Sequence, residues 1–138
     1  MSLGLAYTYL DATYEEGDDK GNTLVDASKH QISWDASYNL AGYQSTISGY
    51  YYSDAFSDSA NTKEENASGS LGKIPSYTVW NLNVSKDLYE QGNTKLSIDV
   101  AVNNLFDKEY YFRGVDTSPV GRYPALGRTY SVTGNLTF

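Results

Sequence analysis

The chain contains no cysteine and only one histidine, His30. The first absence excludes disulfides, thiolate zinc sites and cysteine nucleophiles; the second excludes a multi-histidine metal centre within the chain. Positive charge is scarce: 10 Lys and Arg stand against 17 Asp and Glu, a formal net charge of -7. Nucleic acid, whose phosphates demand a basic face, is therefore not an expected partner. No apolar run reaches the length of a membrane helix, and the opening "MSLGLAYTY" lacks the basic start and apolar stretch of a secretory leader. No nucleophile–base pair, phosphate cradle or isolated carboxylate pair is legible, so the chain does not read as an enzyme and no cofactor or metal site is expected. Glu15, Glu16, Asp18 and Asp19 crowd one segment, but without the spacing of an EF-hand loop; they read as a solvated acidic loop.

What is abundant is tyrosine, 14 residues against 4 Phe and 2 Trp. An apolar ring with a polar tip suits strands, and suits places where an apolar phase meets water. Helical periodicity is nearly absent and strict alternation recurs. His30, Ile32, Trp34, Ala36, Tyr38 and Leu40 alternate with Gln31, Ser33, Asp35, Ser37 and Asn39. Trp80, Leu82 and Val84 alternate with Asn81, Asn83 and Ser85; Leu96, Ile98, Val100 and Val102 alternate with Ser97, Asp99, Ala101 and Asn103. The last stretch sets Tyr130, Val132, Gly134, Leu136 and Phe138 against Ser131, Thr133, Asn135 and Thr137. The pattern predicts six strands, roughly 3–14, 29–40, 42–54, 76–88, 94–105 and 127–138.

The connections between them run long, short, long, short, long. In an up-and-down sheet this gathers the long loops at one end and the tight turns at the other. Outer-membrane barrels have that asymmetry, and strands of this length suffice to cross a bilayer when tilted. A soluble antiparallel sandwich or barrel would give the same alternation, because apolar-out and apolar-in produce one string. Alternation alone leaves both open, together with a self-contained soluble domain binding a ligand or protein on a Tyr-rich face.

Residues 100–138 resemble the C-terminus of TonB-dependent outer-membrane receptors. The resemblance rests on Asn104-Leu105-Phe106-Asp107-Lys108-Glu109-Tyr110, then a variable loop, then Pro124-Ala125-Leu126-Gly127-Arg128, then an alternating last strand ending in Phe138. Upstream, Ile74-Pro75-Ser76-Tyr77 and Lys29-His30 look like the lead-ins to two further strands of that family, although Ala27-Ser28 replace the usual proline.

The resemblance implies an all-β fold, an antiparallel up-and-down sheet of about six strands forming the last part of a 22-stranded transmembrane barrel. It also implies that residues 1–138 are C-terminal barrel only, with the plug domain, the earlier strands and the TonB-binding segment upstream. The long loops would be extracellular. The implied function is uptake of a scarce nutrient, a ferric siderophore, across the outer membrane of a Gram-negative bacterium. Implied partners are the plug, TonB, outer-membrane lipid and the barrel assembly machinery; Tyr130, Val132, Leu136 and Phe138 would carry the signal that machinery reads. As an isolated piece the sheet would expose two edges and self-associate. In the last long loop, Tyr110, Tyr111, Phe112 and Tyr123 interleave with Lys108, Arg113, Arg122 and Arg128, and within this aromatic, locally cationic patch Arg113, Arg122, Tyr111 and Tyr123 stand out. Guanidinium groups pair with carboxylate-bearing anions and aromatic rings stack on planar ligands, so these four are the expected ligand residues.

Overall fold

The computed structural model describes residues 1–113 and 121–138, with Arg113 described by its backbone alone. Its strands are β1 (Ser2–Tyr9), β2 (His30–Leu40), β3 (Tyr43–Tyr52), β4 (Tyr77–Gln91), β5 (Thr94–Asn103), β6 (Tyr111–Arg113), β7 (Arg122–Pro124) and β8 (Thr129–Thr137). Six of them form one sheet in the order β1-β2-β3-β4-β5-β8, and every pairing in it is antiparallel. The six expected strands are all present, although β1 stops at Tyr9, five residues short of its expected end, and β4 runs on to Gln91. The structure adds the β6–β7 ribbon inside the last long loop, where Phe112 faces Tyr123 and Arg113 faces Arg122.

The tight turns lie at one end. Ala41 and Gly42, both at positive φ, join β2 to β3, and Gly92-Asn93 join β4 to β5. The long connections, residues 10–29 and 53–76 with the described parts of 104–128, lie at the other.

The register sorts side chains onto two chemically distinct faces. Leu5 pairs with Trp34, Trp34 with Gly49 and Gly49 with Trp80; Val84 pairs with Val100 and Val100 with Val132. These rows make one face apolar. The other face carries Ser33, Asp35, Asn81, Asn83, Ser97, Asp99, Ser131 and Thr133. Near the tight turns β4 carries an irregularity between Asp87 and Tyr89, so that Tyr89 opposes Leu96 and Leu88 is the extra residue. A bulge of this kind shifts parity by one. It keeps Tyr89 on the apolar face, beside Lys86, whose ammonium lies 4.1 Å from the Tyr43 ring centroid. Lys86 is the one charged residue in the register rows of that face, and it sits at its margin.

Nothing among the described residues covers the apolar face. Leu5 is 78 % exposed and Val132 68 % exposed, while the buried apolar side chains are Ala55, Ile74 and Val79, all toward the long-loop end. A soluble sandwich needs a second sheet packed about 10 Å away to bury such a face. No such sheet is present among the described residues, so they do not by themselves form the soluble sandwich left open by alternation. A continuous exposed apolar surface of this extent is instead suited to lipid or to a partner. On it Trp34 and Trp80 meet edge to face at 4.8 Å, and Phe106 meets Trp80 at 6.3 Å. Gly49 makes room for this cluster: a Cβ there would stand 2.5 Å from Trp34.

Candidate functional site

The polar face changes character at its long-loop end. The run Tyr50-Tyr51-Tyr52 ends β3, and since alternate residues point to opposite faces, Tyr51 joins the apolar face while Tyr50 and Tyr52 join the polar one. Tyr77, the first residue of β4, pairs with Tyr52 and shares its face. The last long loop then folds over them. Tyr110 stacks on Tyr77 with ring centroids 4.4 Å apart, Tyr52 stacks on Tyr77 at 5.5 Å, and Phe112 stands edge-on to Tyr77 at 6.3 Å. The phenol oxygens of Tyr50 and Tyr110 are 3.3 Å apart. These five rings, with Asp26, Ser28, Ser53, Ala55 and Ile74, line a cavity of about 580 Å3. A second cavity of about 380 Å3 shares Tyr50 and Tyr110 and is lined also by Val79, Asn81 and Asn104.

The loop that delivers Tyr110 is fixed by the Asn104–Asp107 turn. Asn104 is 4 % exposed and has φ 52°, a left-handed conformation that Asn tolerates better than most side chains. Its backbone N–H donates to Asn81 Oδ1 (3.0 Å), and its side-chain Nδ2 donates to the carbonyl of Lys108 (3.0 Å). Its Oδ1 accepts the Lys108 N–H at 2.8 Å. Asp107, also at positive φ, accepts the Arg128 N–H at 2.8 Å, which ties the start of the loop to its end. Leu105 donates its N–H to the Trp80 carbonyl, and Phe106 turns onto the apolar face. The motif residues Asn104, Leu105, Phe106, Asp107, Tyr110, Gly127 and Arg128 thus form the hinge of the loop and place one ring in the cavity. Tyr130 hydrogen-bonds the Arg128 side chain and raises its pKa, with a further push from Asp107.

The other loops interlock above the same end. Thr23 donates its N–H to Asn61 Oδ1 (2.7 Å), Asn61 Nδ2 returns a bond to the Thr23 carbonyl (2.8 Å), and Asn22 Nδ2 donates to the Ser59 carbonyl (2.8 Å). The Asp26 N–H donates to the Phe56 carbonyl, and partial desolvation beneath this junction raises the Asp26 carboxyl above its usual range. At the strand ends Ser28 Oγ donates to the Ser53 carbonyl (2.8 Å), and Ser53 Oγ accepts the His30 N–H (3.1 Å).

The expected ligand residues take different places. Arg122 forms an ion pair with Glu65 of the second loop, and its guanidinium lies 4.7 Å from the Tyr111 ring centroid. Glu65 raises its pKa further. Tyr111 and Arg122 are therefore brought together, but as a brace between loops. Gly121 beside them leaves no space for a side chain: a Cβ would stand 2.2 Å from the Ser70 nitrogen. Tyr123 faces outward at 61 % exposure. Arg113 pairs with Arg122 through its backbone, and its side chain lies outside the described residues. The sequence reading placed Phe112 in the aromatic patch of the last loop but did not single out Tyr50, Tyr52, Tyr77 or Asp26 as site residues. One signal was available, since three consecutive tyrosines in a strand must put an aromatic ring on the otherwise polar face. Among the described residues no cluster of three His, Cys, Asp or Glu is poised to hold a metal ion.

Comparison with known proteins gives concordant matches. The family model described as TonB dependent receptor-like, beta-barrel, matches residues 1–105. The ferrichrome outer membrane transporter and phage receptor of Escherichia coli K12 is 35 % identical over 111 residues, 76 % of this chain and 14 % of its own length. The vitamin B12 transporter of Photobacterium profundum is 32 % identical over 134 residues, 97 % of this chain and 18 % of its own. Among solved structures, the ferric citrate transporter FecA in its unliganded form superposes with a TM-score of 0.89 at 31 % identity, covering 99 % of this chain and 21 % of that one. The chain thus spans about one fifth or less of the length of each of these relatives.

Proposed function

That this chain belongs to the TonB-dependent receptor-like β-barrel family is the premise from which we propose its role: it forms the C-terminal wall of an outer-membrane receptor that imports a ferric siderophore. Its family is one of receptors and transporters, and the chain acts as conduit and binding surface, without catalysing a reaction. In the whole protein the six-stranded sheet is the last part of a 22-stranded barrel closed by pairing of β8 with the first strand. The apolar face meets lipid and the polar face lines the lumen, where the plug sits. The long-loop end is extracellular, and the plug, not this segment, carries the contact with TonB. Tyr130, Val132, Leu136 and Phe138 lie along the apolar face and its continuation, and offer the barrel assembly machinery an alternating aromatic-ended strand.

The observation that carries this reading is the pairing of a bare apolar face with a polar face roofed, at one end only, by an aromatic cavity. A wall between lipid and water needs the first feature, and capture from the outside needs the second. The ferrichrome transporter and the ferric citrate transporter among the relatives support iron chelates as the cargo. The test is radioiron uptake by iron-limited cells that lack their own siderophore receptors and express the complete receptor. Energy-dependent accumulation from ferrichrome, ferrioxamine B or ferric citrate is expected. Accumulation of vitamin B12 alone would replace iron with the other nutrient represented among the relatives.

A further inference from the structure

The cavity's described lining is one-sided in charge. Its wall holds five aromatic rings, two serine hydroxyls and one carboxyl, that of Asp26. No Lys or Arg is among its described lining residues. Of the arginines expected to hold an anion, Arg122 is paired with Glu65 and packed on Tyr111, and neither it nor Tyr111 reaches the cavity lining. The approach is acidic as well: residues 10–29 and 53–76 carry ten Asp and Glu against four Lys.

Each of these features opposes an anionic ligand. An anion leaving water needs a fixed cation or several donors to offset its desolvation, and the described cavity wall supplies no cation. Aromatic ring faces carry negative potential, attracting cations and repelling anions. An acidic mouth focuses a field that slows the arrival of anions and speeds that of cations. Ferric complexes divide along this line. Three hydroxamates, each losing one proton, balance the charge of ferric iron and leave the complex uncharged, or cationic where the chelator also bears an ammonium. Catecholates lose two protons each and leave it strongly anionic, as the excess carboxylates of citrate do.

Resting on the siderophore reading above, we propose that the Tyr50–Tyr52–Tyr77–Tyr110–Phe112 cavity selects uncharged or cationic ferric tris-hydroxamates over anionic carboxylate and catecholate complexes. The rings pack against the apolar periphery of the chelate, and the phenols donate to its hydroxamate oxygens. Asp26 favours an ammonium-bearing chelator.

The complete receptor, purified in detergent, is titrated with ferrichrome, ferrioxamine B, ferric citrate and a ferric tris-catecholate, with intrinsic fluorescence quenching as the readout. Both hydroxamates should bind at least about tenfold more tightly than either anion. Tyr77→Ala should weaken hydroxamate binding by about three- to tenfold, the loss expected when one stacked ring goes. Asp26→Lys should narrow the gap by improving citrate binding and weakening ferrioxamine B, with receptor level and barrel heat-stability on gels unchanged. Tighter binding of citrate or the catecholate, or an Asp26→Lys ratio that does not move, overturns the charge selection and leaves siderophore uptake standing. Failure of every iron chelate to bind overturns both.

Discussion

Asn104 shows how much one side chain can hold. Buried and left-handed, it makes four hydrogen bonds at or below 3.0 Å, two through its side chain and two through its backbone, and sets the direction in which the last loop leaves the sheet. Asn104→Ala removes the two side-chain bonds to Lys108 and leaves that residue's N–H and carbonyl to find other partners. The cost should be about 2 kcal/mol, on the order of one to two net hydrogen bonds plus strain at positive φ. Hydrogen–deuterium exchange of the complete receptor should show lost protection at Lys108 with β5 unchanged. Equal loss through β5 would show that the turn carries the strand itself. Asp26 gives a pH-dependent case. Partial desolvation raises its carboxyl, so the charged form is the disfavoured one in the folded loops. Its contribution to the stability of the folded loops is therefore fully present below the ordinary Asp pKa of about 4. That contribution is lost as pH rises through the raised value. Asp26→Asn should remove this drift, measured as a pH-independent protection factor at the Asp26 amide position. Persistence of the drift in the variant would assign it to another group.

At the scale of the element, β4 and β5 carry the sidedness of the sheet. Ile98 lies in the row of Lys86 and Gly134 on the apolar face, while Asp99 lies in the row of Ser85 and Thr133 on the polar one. In the complete receptor, Ile98→Cys should be quenched by a lipid-phase reagent and Asp99→Cys should react with a water-soluble thiol reagent. Reversed labelling would turn the sheet inside out and refute the barrel-wall reading. The loops behave as one element too. The first and second are joined through Thr23–Asn61 and Asn22–Ser59, and the second and third through Glu65–Arg122. The exposed ion pair contributes little energy, so the backbone and amide bonds are what hold the loops together.

At the scale of the molecule, the described chain is a sheet with two edges and one bare face. Outer edges β1 and β8 present unpaired backbone groups along their length, and Leu3, Leu5, Tyr130, Val132 and Leu136 are exposed beside them. Unpaired edges seek partners, and an apolar face of this size does not remain in water. The isolated 138-residue chain should therefore sediment in aqueous buffer as an oligomer or aggregate. Detergent should disperse it. A compact monomer near 15.3 kDa without detergent would overturn the expectation.

The alternation of His30 to Leu40, Trp80 to Ser85 and Leu96 to Asn103 determined by itself the strands, their polar and apolar sides, and the segregation of long loops from tight turns. Each follows from local geometry, because successive strand residues point to opposite faces whatever the neighbours are. The Asn104–Tyr110 motif likewise identified the family, since its turn depends on residues close in sequence. Which face would remain bare was not local. Alternation describes an apolar-out barrel and an apolar-in sandwich equally well, and only the absence of any described layer over Leu5, Val100 and Val132 decided between them. The binding rim was hidden for the same reason. Arg122 read as a free cation because its partner Glu65 lies 57 residues away. Tyr50, Tyr77 and Tyr110 became one cavity only when β3, β4 and the last loop met. Pairing in sequence order fixed the sheet, but contacts between distant loops, each set by shape and charge, fixed what the sheet can hold.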